Sequence, residues 1–297
     1  MHHVLKTTGA AVALALLAAC GGSDDPKPTY SEDQLKELAR DVVGISVGVP
    51  MTTVFAVGQV LSFLDEGAPS GPQPCEGGGT YTATLTRAGS GSVPGNGDKV
   101  DIQFDQCEDD DTGTTLTGKT TVTFSDVSGD ILDTDAAAAA TMSLPFRGMS
   151  MDGGTTLDGD FVLKAATTPG GAPNTDDGKS TLKITGAVKL TEKGVSVEVS
   201  DYAAELASDH VTDEDTFSRI DYRAKGSRAP LGEFDYRVSM TEPVVAKLAF
   251  GDLIRGGLRA KTDAETVDTT FATTGGTTTV SIKSSSGKSV TLTGSAL

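Results

Sequence analysis

The chain has no tryptophan, and its 10 phenylalanines and 5 tyrosines leave aromatics at only 5% of 297 residues. A transmembrane barrel carries aromatic girdles at both membrane interfaces, and this supply does not build them. Sugar-ring stacking is likewise short of its strongest residue. Histidine is nearly as scarce, because His2 and His3 stand at the start and His210 alone lies in the body of the chain. A multi-histidine zinc site is excluded, and a Ser-His-Asp triad would depend wholly on His210, which sits in the acidic, turn-like segment 209–215. Basic charge is also short, with 24 Lys and Arg against 41 Asp and Glu and a net charge of −17. Such a surface repels phosphate backbones and anionic headgroups, so nucleic acid is not among the expected partners.

What is present begins with a 13-residue apolar stretch, residues 7–19, behind Lys6. A bilayer-spanning helix needs roughly 20 apolar residues, so the stretch fits a signal peptide rather than a membrane span. It closes on Leu17, Ala18, Ala19 and Cys20, followed by Gly21 and Gly22. These residues resemble a bacterial lipobox. The resemblance implies cleavage before Cys20, a diacylglycerol on its thiol and an acyl chain on its new amine. It also implies an outer-membrane destination, since Gly21 stands where enterobacterial lipoproteins retained at the inner membrane carry aspartate. Which face of the membrane the domain occupies is not implied. Each buried methylene is worth about 0.8 kcal/mol, so several chains on Cys20 would anchor the protein firmly. The alternative is an ordinary secretory signal in which Cys20 is incidental.

Two further cysteines, Cys75 and Cys107, remain. In an exported chain an even pair reads as a disulfide, the alternative being free thiols or a metal pair. A bridge closing about 32 residues would stabilise by roughly 3–4 kcal/mol in the chain-entropy view. Both cysteines border strand-like segments, so a clasp across a hairpin is the expected geometry.

The rest divides by periodicity. Residues 1–19 read as signal peptide and 20–30, with Pro26 and Pro28, as a lipidated tether. Ser31 begins a capped amphipathic helix with Leu35, Leu38, Ala39, Val42 and Val43 on one face, ending near Gly44. Val54, Phe55, Val57, Val60, Leu61 and Leu64 give a second helix, and the proline- and glycine-rich residues 67–74 end it. Residues 31–66 thus read as a short helical cap or plug. From 67 to 297 the period is two: Tyr81, Ala83 and Leu85 alternate with threonines, and Val100, Ile102 and Phe104 with polar residues. The pattern recurs down to Val290 and Leu292. Ten to fourteen antiparallel strands are too many for one flat sheet. The expected fold is mainly β: a curled antiparallel sheet, half-barrel or sandwich, with a short N-terminal helical segment.

Catalytic motifs fail on context. Gly44-Ile45-Ser46-Val47-Gly48 matches a nucleophile elbow, but the elbow needs a strand before its serine, and here a helix precedes it and Pro50 follows. Gly178-Lys179-Ser180 and Gly287-Lys288-Ser289 lack the earlier glycine of a phosphate loop and read as hairpin turns. Ser180 and Lys183 are three apart on a strand, hence on opposite faces. Acid-rich turns remain, at 108–111, 130–135, 176–177 and 213–215; none has the spacing of a known calcium loop, so they read as solvated turns, a calcium site being the alternative.

Beyond the lipobox, a strand ending Phe104-x-x-Cys107 resembles β-rich lipoproteins of Gram-negative bacteria. The resemblance implies no activity. The expected function is a non-enzymatic, membrane-anchored lipoprotein that binds a partner or supports the envelope. No metal or cofactor is expected beyond the covalent lipid. The alternatives are a carrier of an apolar ligand in a curved sheet and a carboxylate-dependent hydrolase.

Overall fold

The computed structural model describes residues 29–91, 93–110, 113–133, 136–152, 154–168, 179–209, 214–247 and 252–293. Cys20, His210 and the acids at 111, 135, 176, 177 and 213 lie outside them.

One helix, α1 (Glu32–Asp65), precedes a 14-stranded antiparallel sheet. The strands are β1 (Gln73–Pro74), β2 (Gly78–Thr86), β3 (Lys99–Glu108), β4 (Thr115–Ser128), β5 (Ala138–Met151), β6 (Thr155–Thr168) and β7 (Lys179–Glu192). They continue with β8 (Val195–Asp209), β9 (Glu214–Arg228), β10 (Gly232–Lys247), β11 (Asp252–Thr262), β12 (Thr266–Thr274), β13 (Thr277–Ser284) and β14 (Ser289–Thr293). Each strand pairs only with its sequence neighbours, so the sheet is a meander that does not close. Its two edges, β1 and β14, are the shortest strands, which limits the unpaired backbone they expose.

Alternation along the strands sets the two faces. On β3, Val100, Ile102 and Phe104 are buried while Lys99, Asp101 and Gln103 are exposed. The outer face carries threonine and charge throughout, and Val93, in a loop, is the exposed large apolar residue among the described ones. A lipid-facing apolar band is therefore missing from the described strands. The inner faces of all the long strands join α1 in one hydrophobic cluster.

The helix starts where the sequence indicates. Ser31 Oγ accepts from Gln34 N at 3.2 Å, and Gln34 Oε1 accepts from Ser31 N at 2.8 Å, a capping box with Glu32 and Asp33 in the first turn. It ends in a Schellman turn: Gly67 takes φ +79°, its N–H donates to Leu64 O at 3.1 Å, and Ala68 N donates to Phe63 O at 2.9 Å.

Between these ends the two expected helices are one, uninterrupted over 34 residues. Pro50 lies inside it. Proline has no N–H, so the carbonyl of Ser46, four residues earlier, loses its intrahelical donor. The sheet replaces it, with Tyr202 OH donating to Ser46 O at 3.2 Å. Tyr222 OH adds a bond to Val42 O at 3.0 Å. A tertiary contact thus repairs the defect that made the sequence read as a break. The elbow-like Gly44–Gly48 segment is mid-helix, neither an elbow nor a loop, and Ser46 is fully buried with its hydroxyl 3.3 Å from Tyr222 OH.

At about 1.5 Å per residue α1 is roughly 51 Å long. It crosses the sheet rather than following any one strand, meeting turns at its start and the middles of strands farther on. Its start meets the β13–β14, β11–β12 and β9–β10 turns through Lys288, Glu265 and Pro230. Ser46 then meets β8 and β9, Thr52 meets Met151 at the end of β5 at 3.0 Å, Phe55 stacks near Phe104 of β3, and Ser62 bonds Tyr81 of β2. The helix is long and apolar enough to cross a membrane by length and composition, yet most of that stretch is buried against the sheet.

Candidate functional site

The described molecule concentrates its buried polar chemistry where α1 meets strands β8–β12. Phe146, Phe161, Tyr202 and Tyr222 form a continuous aromatic path under the helix, with successive centroids 5.7, 6.3 and 5.7 Å apart. Gly186 makes this possible. It lies between Phe161 and Tyr202 on the intervening strand, and a Cβ there would stand 2.7 Å from the Phe161 ring. Burial pushes the phenols of Tyr202, Tyr222 and Tyr236 well above their ordinary range; for Tyr222 the bond with Ser46 only partly opposes this.

Beside this path lies an ion pair. Asp41, on α1, is 7% exposed and joins Arg228 at the end of β9 through Oδ1, while Arg228 Nε stands 3.6 Å from Glu37 Oε1. Asp41 Oδ2 and Arg228 Nε have no hydrogen-bond partner; Tyr236 OH and Glu265 Oε2, nearby on β10 and the β11–β12 turn, share that condition. Two grooves lie along the helix here. One, of about 800 Å³, passes Tyr30, Leu231 and Phe234 and the exposed Lys189, Glu198 and Lys225. The other, of about 540 Å³, runs between Asp41, Gly44 and Arg228 and the β5–β6 and β7–β8 turns.

The sequence candidates are scattered rather than gathered. Cys75 and Cys107 form a disulfide, with Cα atoms 5.4 Å apart, tying β1 to the end of β3. Lys183 faces outward and pairs with Glu205 at 3.1 Å, and Ser180 is on the other face of β7. Gly287-Lys288-Ser289 is the β13–β14 turn, with Gly287 at φ +91°. Gly178 of the similar triplet is outside the described residues. Among the described residues no three His, Cys, Asp or Glu side chains come together as a metal site.

Sequence reasoning missed Asp98. It is 3% exposed and accepts from Ala88 N at 2.7 Å, Gly95 N at 3.1 Å and Arg87 at 3.0 Å, organising the loop between β2 and β3. Burial opposes its ionisation, but those bonds outweigh it and hold the carboxyl below the usual range. It also missed Asp41 and Arg228, 187 positions apart by their numbers. An aspartate within the apolar face of a helix was the available signal for that pair.

Comparison with protein-family models, with curated proteins and with solved structures finds no match to the chain.

Proposed function

We propose that the protein is a non-enzymatic lipoprotein, anchored at the outer membrane through lipid on Cys20, whose β domain binds a partner or supports the envelope, facing either the periplasm or the surface. The lipobox-like residues Leu17 to Cys20 carry this reading. Two features of the folded domain support it. At the end of the tether, Tyr30 N donates to Glu265 at 2.6 Å, and Lys288 reaches both Thr29 and the Tyr30 carbonyl, so a pull on the anchor passes into two hairpins rather than into a free end. The polar outer face suits an aqueous compartment, leaving the lipid as the membrane attachment.

Replacing Cys20 by Ser tests it. The variant is expected to move from the membrane to the soluble fraction, and continued partition with membranes would overturn the reading.

A further inference from the structure

We propose that the tether binds back onto its own domain: residues 24–28 occupy the groove of about 800 Å³ beside Thr29 and Tyr30, with Lys27 over Glu233 and with Asp24 and Asp25 between Lys225 and Lys189. Such a strap fixes which side of the domain stands next to Cys20. That this side then faces a bilayer rests on the lipoprotein reading.

The described chain begins in the wall of this groove. Thr29 and Tyr30 line it and are pinned there, Tyr30 N by Glu265 of the β11–β12 turn and Thr29 Oγ1 by Lys288. The residues that precede Thr29 are therefore delivered to the groove at a high effective concentration, with no encounter step to make.

The groove carries its charges in an order. Lys189, Glu198, Lys225 and Asp235 are register partners on β7, β8, β9 and β10, and so form one row across four strands. Asp263 is in the β11–β12 turn that holds Tyr30, and Glu233 is on the adjoining β10. Leaving Tyr30, acids come first and the lysines after them. Asp235 is already engaged by Arg223 at 2.5 Å, so Glu233, exposed on the same strand, is the acid assigned to Lys27. Lys189 and Lys225 are exposed, and no ion pair among the described residues uses either of them.

The tether carries the complementary order. Counted back from Thr29 it reads Lys27, then Asp25 and Asp24. Pro26 and Pro28 hold φ in the range of the extended polyproline form and reduce the freedom lost on docking. At about 3.1 Å per residue, Lys27 falls about 6 Å from Thr29, roughly one strand spacing away, which is β10. Asp25 and Asp24 fall about 12 and 16 Å away, two to three spacings, beside Lys225 and short of Lys189.

A charge swap tests this, read by a nitroxide on Ser23→Cys. The full chain also carries Cys20→Ser so that, with Cys75 and Cys107 bridged, the label meets one thiol. With native charges the electron paramagnetic resonance spectrum is expected to be immobilised, and loosened by about 1 M NaCl. Lys189→Glu/Lys225→Glu, at two exposed positions, should lower the docked-to-free ratio about ten-fold. Adding Asp24→Lys/Asp25→Lys to that variant should restore the ratio to within about two-fold of the original, as direct pairing requires. A mobile label in the chain with native charges, or equal spectra in all three chains, overturns the proposal. So does a reversed variant that the swap fails to rescue. The nitroxide reports without lipid on residue 20, and membrane fractionation of Cys20→Ser does not depend on these charges, so each reading can fail without the other.

Discussion

Tyr202→Phe removes one oxygen and leaves the ring in place, which isolates the repair of α1 at Pro50. The Ser46 carbonyl has no intrahelical donor and takes its bond from Tyr202 OH at 3.2 Å, with Ser46 0% and Tyr202 1% exposed. Leaving such a buried acceptor unpaired costs about 1–3 kcal/mol. Pro50→Ala returns the missing N–H to the helix, after which the carbonyl no longer depends on the sheet. In that background Tyr202→Phe should cost less than about 0.5 kcal/mol, a coupling of roughly 1–2 kcal/mol between two residues on different elements. Urea unfolding followed by far-UV circular dichroism reads this directly, since the chain has no tryptophan to report and the mutated residue is itself a fluorophore. At a slope of about 3 kcal/mol/M, a 2 kcal/mol loss moves the midpoint by roughly 0.7 M. Equal losses in the Pro50 and Ala backgrounds, or none in either, would refute the assignment.

Burial above all raises the phenols of Tyr202, Tyr222 and Tyr236 in the folded state, so their contribution is intact below the unfolded value near 10 and is lost as pH rises beyond it, by up to about 4 kcal/mol per pH unit for three groups. Absorbance at 295 nm should therefore show phenolate formation lagging until the fold is lost, and a smooth titration of every tyrosine near 10 with native circular dichroism would refute this. Reducing the Cys75–Cys107 bridge, whose cysteines are 32 positions apart, should lower stability by about 3–4 kcal/mol, read as a reductant-dependent drop in urea midpoint. Asp98→Ala should cost about 3 kcal/mol at pH 7 by removing three bonds to one carboxylate. The lowered carboxyl contributes fully above the usual value near 4 and loses its contribution as pH falls through the folded one, so the difference from wild type should shrink in acid.

The parts legible in the sequence are those written in local pattern. Ser31 and the proline- and glycine-rich residues 67–74 marked the ends of α1, because caps are satisfied by residues close in the chain. Strict alternation exposed β2, β3, β7 and β10. It hid β6, where Gly159 and the small Ala165 and Ala166 interrupt the apolar series, and β9, where a bulge puts two exposed residues, Ser218 and Arg219, between buried Phe217 and Ile220. The continuity of α1 through Pro50 was not legible at all, since the group that mends it lies 156 residues away. The Asp41–Arg228 pair has the same cause: nothing near either residue announces the other.

The position of α1 bears on the carrier reading in a way the strand pattern alone does not. The curled sheet already holds an apolar occupant, covalently joined to it. Leu35, Leu38, Val42, Val60, Phe63 and Leu64 are each at most 6% exposed in that arrangement. Returning those side chains to water costs about 2 kcal/mol apiece, roughly 12 kcal/mol together. A ligand that displaced the helix would have to recover all of this before binding at all, and 12 kcal/mol is the whole free energy of a nanomolar complex. A ligand that left α1 in place would find the inner faces occupied. The economical places for recognition are therefore the grooves beside α1 and the polar outer face, where binding costs the fold nothing.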